Sequence, residues 1–289
     1  MPNPDSKSDS KATISPETWG LKESADWWSA GQVRRQAIYG PATERMLDLA
    51  DVRPGSRVLD VAAGTGESTM MAARRVGSTG YVLGVDQSAS MLNVAAETAR
   101  KERITNIETR VMNAETLTLD SDSFNAVISR IALMLFPNPA KALTEMRRVT
   151  KPGGKVAVMV YSALEKNPYH GIFYDTVSRI GSIPLPARGQ PWMYALADPA
   201  ILEGIYRDAG FQNVSIETFP IPRCFPSAAE AVANMRKSVA VGRDLKEFIN
   251  LLKEADRETA LAKIEQEFKR FEGSNGLELP GEVLIGVGT

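Results

Sequence analysis

The chain has 289 residues, 43% of them hydrophobic, with 34 Lys plus Arg against 35 Asp plus Glu. That supplies enough apolar material for one large α/β domain with elaborations. The even charge balance, without a basic run, gives no electrostatic footprint for nucleic acid or an anionic membrane. One cysteine, Cys224, and one histidine, His170, exclude an internal disulfide and any metal site built from several Cys or His ligands.

Residues Met1 to Ser15 are rich in Ser, Lys, Asp and Pro and lack an apolar stretch. They are expected to be a disordered tail, not a signal peptide. No apolar run approaches the roughly 20 residues of a membrane span. With a single cysteine, the expectation is a cytoplasmic protein. Residues 16–289 then form one domain, with a core over 53–161 and a lid and C-terminal elaboration over 162–289.

Gly20 to Ala50 is predicted as a helix, with Trp27, Trp28, Ile38, Tyr39, Met46 and Leu47 as apolar positions, stopped by Arg53-Pro54-Gly55. Val58 to Ala62 is a short apolar run before a glycine turn, the mark of a buried strand. Glu67 to Val76 reads as a helix, Tyr81 to Asp86 as a second buried strand, and Ser88 to Lys101 as a helix with Ser88 as N-cap. Ile107 to Met112 and Phe124 to Ser129 are strands. Pro139 to Val149 is a helix opened by proline, and Lys151-Pro152-Gly153-Gly154 turns into a strand over Lys155 to Tyr161. Strands alternating with helices at this spacing give βαβ units. The fold class is therefore α/β, a Rossmann-like doubly wound sheet, mostly parallel with an antiparallel last strand. Ligands of such sheets bind at the carboxyl ends of the strands.

Ser162 to Pro199, rich in Pro, Gly and aromatics, is predicted as a long irregular lid. Pro199 to Ala209 is a helix, Val214 to Phe219 a strand, and Ala228 to Val239 and Leu245 to Phe271 are helices. In the last of these Leu261, Ile264, Phe268 and Phe271 form an apolar stripe. Val283 to Val287 is the closing strand.

The chemistry concentrates in Asp60-Val61-Ala62-Ala63-Gly64-Thr65-Gly66, directly after the first strand. Ala62, Gly64, Thr65 and Gly66 let the backbone approach a ligand closely, and the helix from Glu67 has free N–H groups facing it. Asp86, 20 residues past Gly66 at the end of the second strand, can accept both hydroxyls of a ribose. The ligand is thus a nucleoside. Asp60 beside the glycines would repel a pyrophosphate but attract an ammonium. Thr69 stands where a dinucleotide site wants a third small residue. S-adenosylmethionine (SAM), with an ammonium and a sulfonium, fits these residues better than a dinucleotide does.

Val58 to Gly66 resembles the first motif of class I SAM-dependent methyltransferases, with Ala62 in place of the usual first glycine. Gly84-Val85-Asp86-Gln87-Ser88 with Met91-Leu92 resembles the second. Asn113-Ala114-Glu115 resembles the adenine-binding segment, where Asp is usual in place of Asn113. Phe124 to Arg130, Phe136-Pro137-Asn138-Pro139 and Arg147 to Gly154 resemble the fourth strand, the next helix start and the turn into the fifth strand. The set is most similar to the group containing the ubiquinone and menaquinone C-methyltransferases, and it covers about Arg53 to Tyr161. The resemblance implies a Ser129 carbonyl on the methionine ammonium, Gln87 and Met91 flanking ribose and adenine, and Asn113 and Ala114 at the adenine edge. It implies SAM as methyl donor and S-adenosylhomocysteine as product. Trp28 stands where related proteins close an aromatic over the cofactor carboxylate; ordinary helix packing is the other reading of Trp27 and Trp28.

The sequence Ser129-Arg130-Ile131-Ala132 after the fourth strand lacks the Asn-Pro-Pro-aromatic motif of base and amide nitrogen methylation. No Gly-x-Ser-x-Gly elbow or phosphate-loop lysine occurs. The expected reaction is methyl transfer to a small apolar or aromatic acceptor at carbon or oxygen. The alternative is a non-catalytic SAM sensor or complex subunit, and a dehydrogenase is the weaker rival. His170 is a candidate general base, or else a surface histidine. Arg130 is a candidate for orienting an anionic or carbonyl group, or else a structural ion-pair member. Ile131, Leu133, Met134, Leu135, Phe136, Trp192, Met193 and Tyr194 are candidate acceptor contacts or core.

Overall fold

In the computed structural model the described residues are 28–187, 189–241 and 243–289. The expected disordered tail, Trp27 and the start of the predicted first helix lie outside them. The first helix, α1 (Gln32–Leu49), tolerates Pro41 and buries Ile38, Tyr39, Ala42, Met46 and Leu47. Then β1 (Arg57–Val61), α2 (Glu67–Val76), β2 (Tyr81–Asp86), α3 (Ala89–Lys101), β3 (Ile107–Val111), β4 (Phe124–Arg130), α4 (Pro139–Val149) and β5 (Thr150–Tyr161) follow in strict alternation up to β3. Ser88 caps α3, its hydroxyl accepting from the Met91 amide at 3.3 Å. Asn138 caps α4 ahead of Pro139.

The main sheet has seven strands in the order β3-β2-β1-β4-β5-β10-β6, where β6 is Ser215–Pro220 and β10 is Glu282–Gly288. The first five run parallel, and β10 is antiparallel to both its neighbours. The order reverses direction between β1 and β4, which opens a crevice above their carboxyl ends. Central strands buried on both faces explain the unbroken apolar runs Val58-Leu59 and Val156 to Val160. The tight turn expected over Lys151-Pro152-Gly153-Gly154 is instead part of β5, whose register against β4 shifts at Phe124/Ala126. No helix of the described residues is long and apolar enough to cross a membrane.

Two further expectations differ from the structure. The segment Ser162 to Pro199 is not irregular throughout: α5 (Pro168–Gly181) occupies much of it. Its buried positions Tyr169, His170, Phe173, Tyr174, Thr176 and Val177 recur at helical spacing, and only their aromatic character and Gly171 disguised the period. The single helix predicted over Leu245 to Phe271 is two helices, α8 (Arg243–Asn250) and α9 (Glu254–Phe268). Glu254 and Asp256 supply acidic residues to the new first turn. Between α5 and these lie α6 (Pro199–Asp208), β7 (Arg223–Phe225) and α7 (Ala228–Val241). The sequence reading did not foresee a small antiparallel sheet of β7, β8 (Glu272–Gly273) and β9 (Gly276–Leu279), in the order β7-β9-β8.

Candidate active site

A cleft opens at the carboxyl ends of β1, β2, β4 and β5, where the topology places it. Its floor is the turn after β1. Ala62 and Gly64 adopt positive φ (58° and 55°), and a Cβ on Gly64 would project into open space. Ala62, Gly64, Thr65, Asp86, Gln87, Met91, Asn113, Ala114, Arg130 and Trp28 all line this cleft. The structure thus brings together ten residues singled out from the sequence.

Asp86 does more than end β2. One carboxylate oxygen accepts the Gly64 amide and the other the Ser88 amide, each at 2.9 Å. Burial raises its pKa, against the pull of these backbone donors. Asn113 accepts the Glu115 amide at 2.8 Å, and Glu115 accepts the Asn138 amide at 2.8 Å. The segment after β3 is therefore tied to the start of α4.

Three of the residues expected to bind the cofactor are not in the cleft wall. Gly66 faces away, because α3 passes so close that an added Cβ would sit 2.7 Å from that of Ala95. Ser129 is buried, its Oγ without a partner among the described residues. Asp60 is fully buried under the turn. Its Oδ2 accepts the hydroxyls of Ser68 (2.8 Å) and Thr69 (2.7 Å), while Oδ1 has no partner among the described residues. Burial, only partly offset by those hydroxyls and by Arg130, pushes its pKa up to about 6. The Thr69 side chain that spoils a dinucleotide motif is thus an anchor for this carboxylate.

The candidate base His170 is likewise outside the cleft and is no surface residue. It is 5% exposed, its Nδ1 2.7 Å from the Tyr194 hydroxyl and its ring against those of Tyr161 and Tyr169. Burial, reinforced by the Arg223 charge, holds its pKa well below the usual histidine value. The ring does not line the cleft, and its hydrogen bond runs to Tyr194.

Arg130 is ion-paired. Glu67, the first residue of α2, accepts from Arg130 at 2.6 Å and also pairs with Arg35, whose guanidinium stacks 4.4 Å over the Trp28 ring. Two arginines against one carboxylate leave this cluster with one surplus positive charge. Sequence reading missed Arg35 and Glu67. An acid in the first turn after the glycine turn, and an arginine seven residues past Trp28, were the available signals. Tyr39 and Tyr161 complete the wall at the β5 end.

These residues fit SAM. The unpartnered Oδ1 of Asp60 suits an ammonium, the surplus arginine charge suits a carboxylate, and the open space over Gly64 suits a ligand against the turn.

The sequence matches the family described as "Methyltransferase domain" over residues 53–191. It is 33% identical over 178 residues to the ubiquinone/menaquinone biosynthesis C-methyltransferase UbiE of Vibrio campbellii, covering 58% of this chain and 68% of the relative. The fold is similar to that of the YcgJ protein of Bacillus subtilis, with a TM-score of 0.57 at 18% identity over 86% of this chain and 98% of that one. It is also similar to a SAM-dependent methyltransferase from Aquifex aeolicus, with a TM-score of 0.51 at 20% identity over 66% of this chain and 89% of that one. With a relative covered to this extent and the cleft where the fold dictates, the chain belongs to the SAM-dependent methyltransferases.

Proposed function

We propose that this enzyme methylates a small apolar or aromatic acceptor held against the β5 end of the cleft, with SAM lying across β1, β2 and β4. The observation that carries the reading is the division of the cleft. Polar and small residues cluster over β1 and β2, while Ile131, Leu135 and Phe136 form an apolar wall after β4, beside the Tyr161 ring at the end of β5. Neighbouring strands lie about 4.8 Å apart, so β5 is three spacings, roughly 14 Å, from β2. That leaves room for a nucleoside on one side and an acceptor on the other.

In this reading the Asp86 carboxylate, already fixed by two amides, accepts the ribose hydroxyls with its remaining lone pairs. Gln87 and Met91 flank the ribose and adenine, and Asn113 and Ala114 meet the adenine edge. Asp60 Oδ1 and the Ser129 carbonyl receive the ammonium, directly or through water. Arg35 and Arg130 receive the carboxylate, and Trp28 covers it. Ala62, Gly64 and Thr65 form the bed. When bound, SAM supplies a methyl group already activated by its sulfonium, so the protein need offer no nucleophile. Holding the acceptor in line is its main task, and such positioning supplies roughly 7–11 kcal/mol.

The named C-methyltransferase relative supports ring carbon over oxygen as the methylated atom. Incubation with methyl-labelled SAM and a panel of hydroquinones and phenols tests the reading, with the product's methyl shift separating carbon from oxygen attachment. Label transferred only to amines or to protein would overturn it.

A further inference from the structure

The cleft wall at the end of β5 carries a hydroxyl pair that the cofactor assignments leave unused. Tyr39 and Tyr161 are both buried, both line the cleft, and are hydrogen-bonded to each other through their hydroxyls. Behind them Arg223, the first residue of β7, donates from one guanidinium nitrogen to both oxygens, at 2.7 Å to Tyr39 and 3.2 Å to Tyr161. Its guanidinium also lies 4.9 Å from the centre of the Tyr169 ring. Among the described residues no carboxylate forms an ion pair with Arg223.

The protons can be counted. Two phenols own two O–H protons, and one is used in the bond between them. Arg223 only donates, so it accepts neither. Among the described residues one phenol proton therefore has no acceptor, and arginine cannot shed its charge. Burial pushes the Tyr161 phenol well above its ordinary pKa, which keeps it a donor instead of a base. The other groups packed on the pair are Arg130, 5.9 Å from the Tyr39 ring centre, and His170 and Tyr194, each 5.3 Å from Tyr161. None is a carboxylate. A spare hydroxyl proton on a buried phenol, backed by a cation without a carboxylate partner among the described residues, stabilises an oxyanion.

We propose that Tyr39 and Tyr161 bind the ionised oxygen of the methyl acceptor, with Arg223 behind them as positioning residue, so that the acceptor is taken up as a phenolate or enolate. The proposal rests on the reading of the cleft as the methyl-transfer site. The acceptor's O–H proton leaves to solvent on binding. The new bond then forms from the methyl carbon to the acceptor oxygen or to a hydrogen-bearing carbon conjugated with it, ortho in a phenolate or α in an enolate. The methyl–sulfur bond breaks, and its electron pair remains on sulfur. At carbon, the displaced ring proton also leaves to solvent. No further reactant is needed.

The experiment uses the full chain saturated with S-adenosylhomocysteine, binding of which is first confirmed by calorimetry. Failure of that binding by the folded protein would overturn the methyltransferase reading itself. Nitrophenols of graded acidity are then titrated by absorbance, which reports their ionisation directly. The wild-type complex should bind phenolate about tenfold or more tighter than phenol, lowering the apparent probe pKa. Arg223→Met should lose that preference while still binding S-adenosylhomocysteine, and Arg223→Lys should restore part of it. Tyr39→Phe with Tyr161→Phe should lose it as well. Benzoate separates sources: competition by benzoate as strong as by nitrophenolate would replace a phenolate or enolate site with a carboxylate site and overturn the assignment. Equal affinity for phenol and phenolate, or an unchanged preference in Arg223→Met, would overturn it too.

Discussion

The Asp86 carboxylate accepts the Gly64 amide at 2.9 Å, so the end of β2 clamps the turn that follows β1. Removing this carboxylate takes away both a ligand contact and the clamp. Asp86→Ala should bind S-adenosylhomocysteine at least tenfold more weakly, since charge-assisted hydrogen bonds contribute about 1.5–3 kcal/mol each. The variant should remain folded. Calorimetry on a folded Asp86→Ala protein with wild-type affinity would reject the ribose assignment.

Gly64 and Gly66 share a turn and a left-handed φ but should fail differently. At Gly64 an added Cβ meets nothing within 4 Å, so Gly64→Val costs about 1–2 kcal/mol of backbone strain. It should fold and lose cofactor binding. At Gly66 the same atom lands 2.7 Å from the Ala95 Cβ, so Gly66→Ala adds about 1–3 kcal/mol of overpacking. Its thermal midpoint should drop further than that of Gly64→Val. The reverse order of midpoints would contradict this division.

Asp60, with its pKa pushed up to about 6, is half protonated at that pH in the free protein. An ammonium arriving at Oδ1 favours the charged form. Cofactor binding should therefore release about half a proton at pH 6 and almost none by about pH 7.5. Binding heats measured at pH 6 in phosphate and in Bis-Tris should differ accordingly, and Asp60→Asn should abolish the difference. Heats independent of buffer in the wild type would place the ammonium elsewhere.

His170 gives a stability signature. Its folded pKa lies well below the unfolded value of about 6.5, so below that pH the unfolded chain takes up a proton that the folded one refuses. Stability is lost as pH falls from about 6.5, by at most about 1.4 kcal/mol per pH unit. Asp60 acts oppositely, its raised pKa favouring the folded state as pH falls from about 6 towards its unfolded value. The difference between wild type and His170→Gln isolates the histidine. Urea midpoints should converge, or cross, on going from about pH 7.5 to about pH 5. A constant difference would mean the ring is protonated in place.

The sheet and the nucleoside half of the cleft were legible because local rules fix them. A buried strand, a small-residue turn and an acid at the end of the next strand all lie within Val58 to Asp86, and the fold class follows from their alternation. Asp60 was legible as an acid beside the glycines but not as a buried one. Its depth depends on Ser68 and Thr69 turning back from the helix that follows. Arg35, Glu67 and Arg223 were not legible. Each acquires meaning from a partner far along the chain, 184 residues separating Arg223 from Tyr39. His170 was not legible as a buried residue: its type drew attention to chemistry, whereas the helical spacing of its neighbours indicated burial.

The late strand β10 has a consequence for how this protein fails. It pairs along β5 from Val283 opposite Tyr161 to Gly288 opposite Val156, and along β6 on its other side. Until it docks, the run Val156 to Val160 is an unpaired, wholly apolar sheet edge, open to pairing with other chains. Such long-range closure is among the slower steps of folding. Mutations in the final segment should therefore show first as aggregation during folding, with the molecules that do fold retaining ordinary affinity for the cofactor.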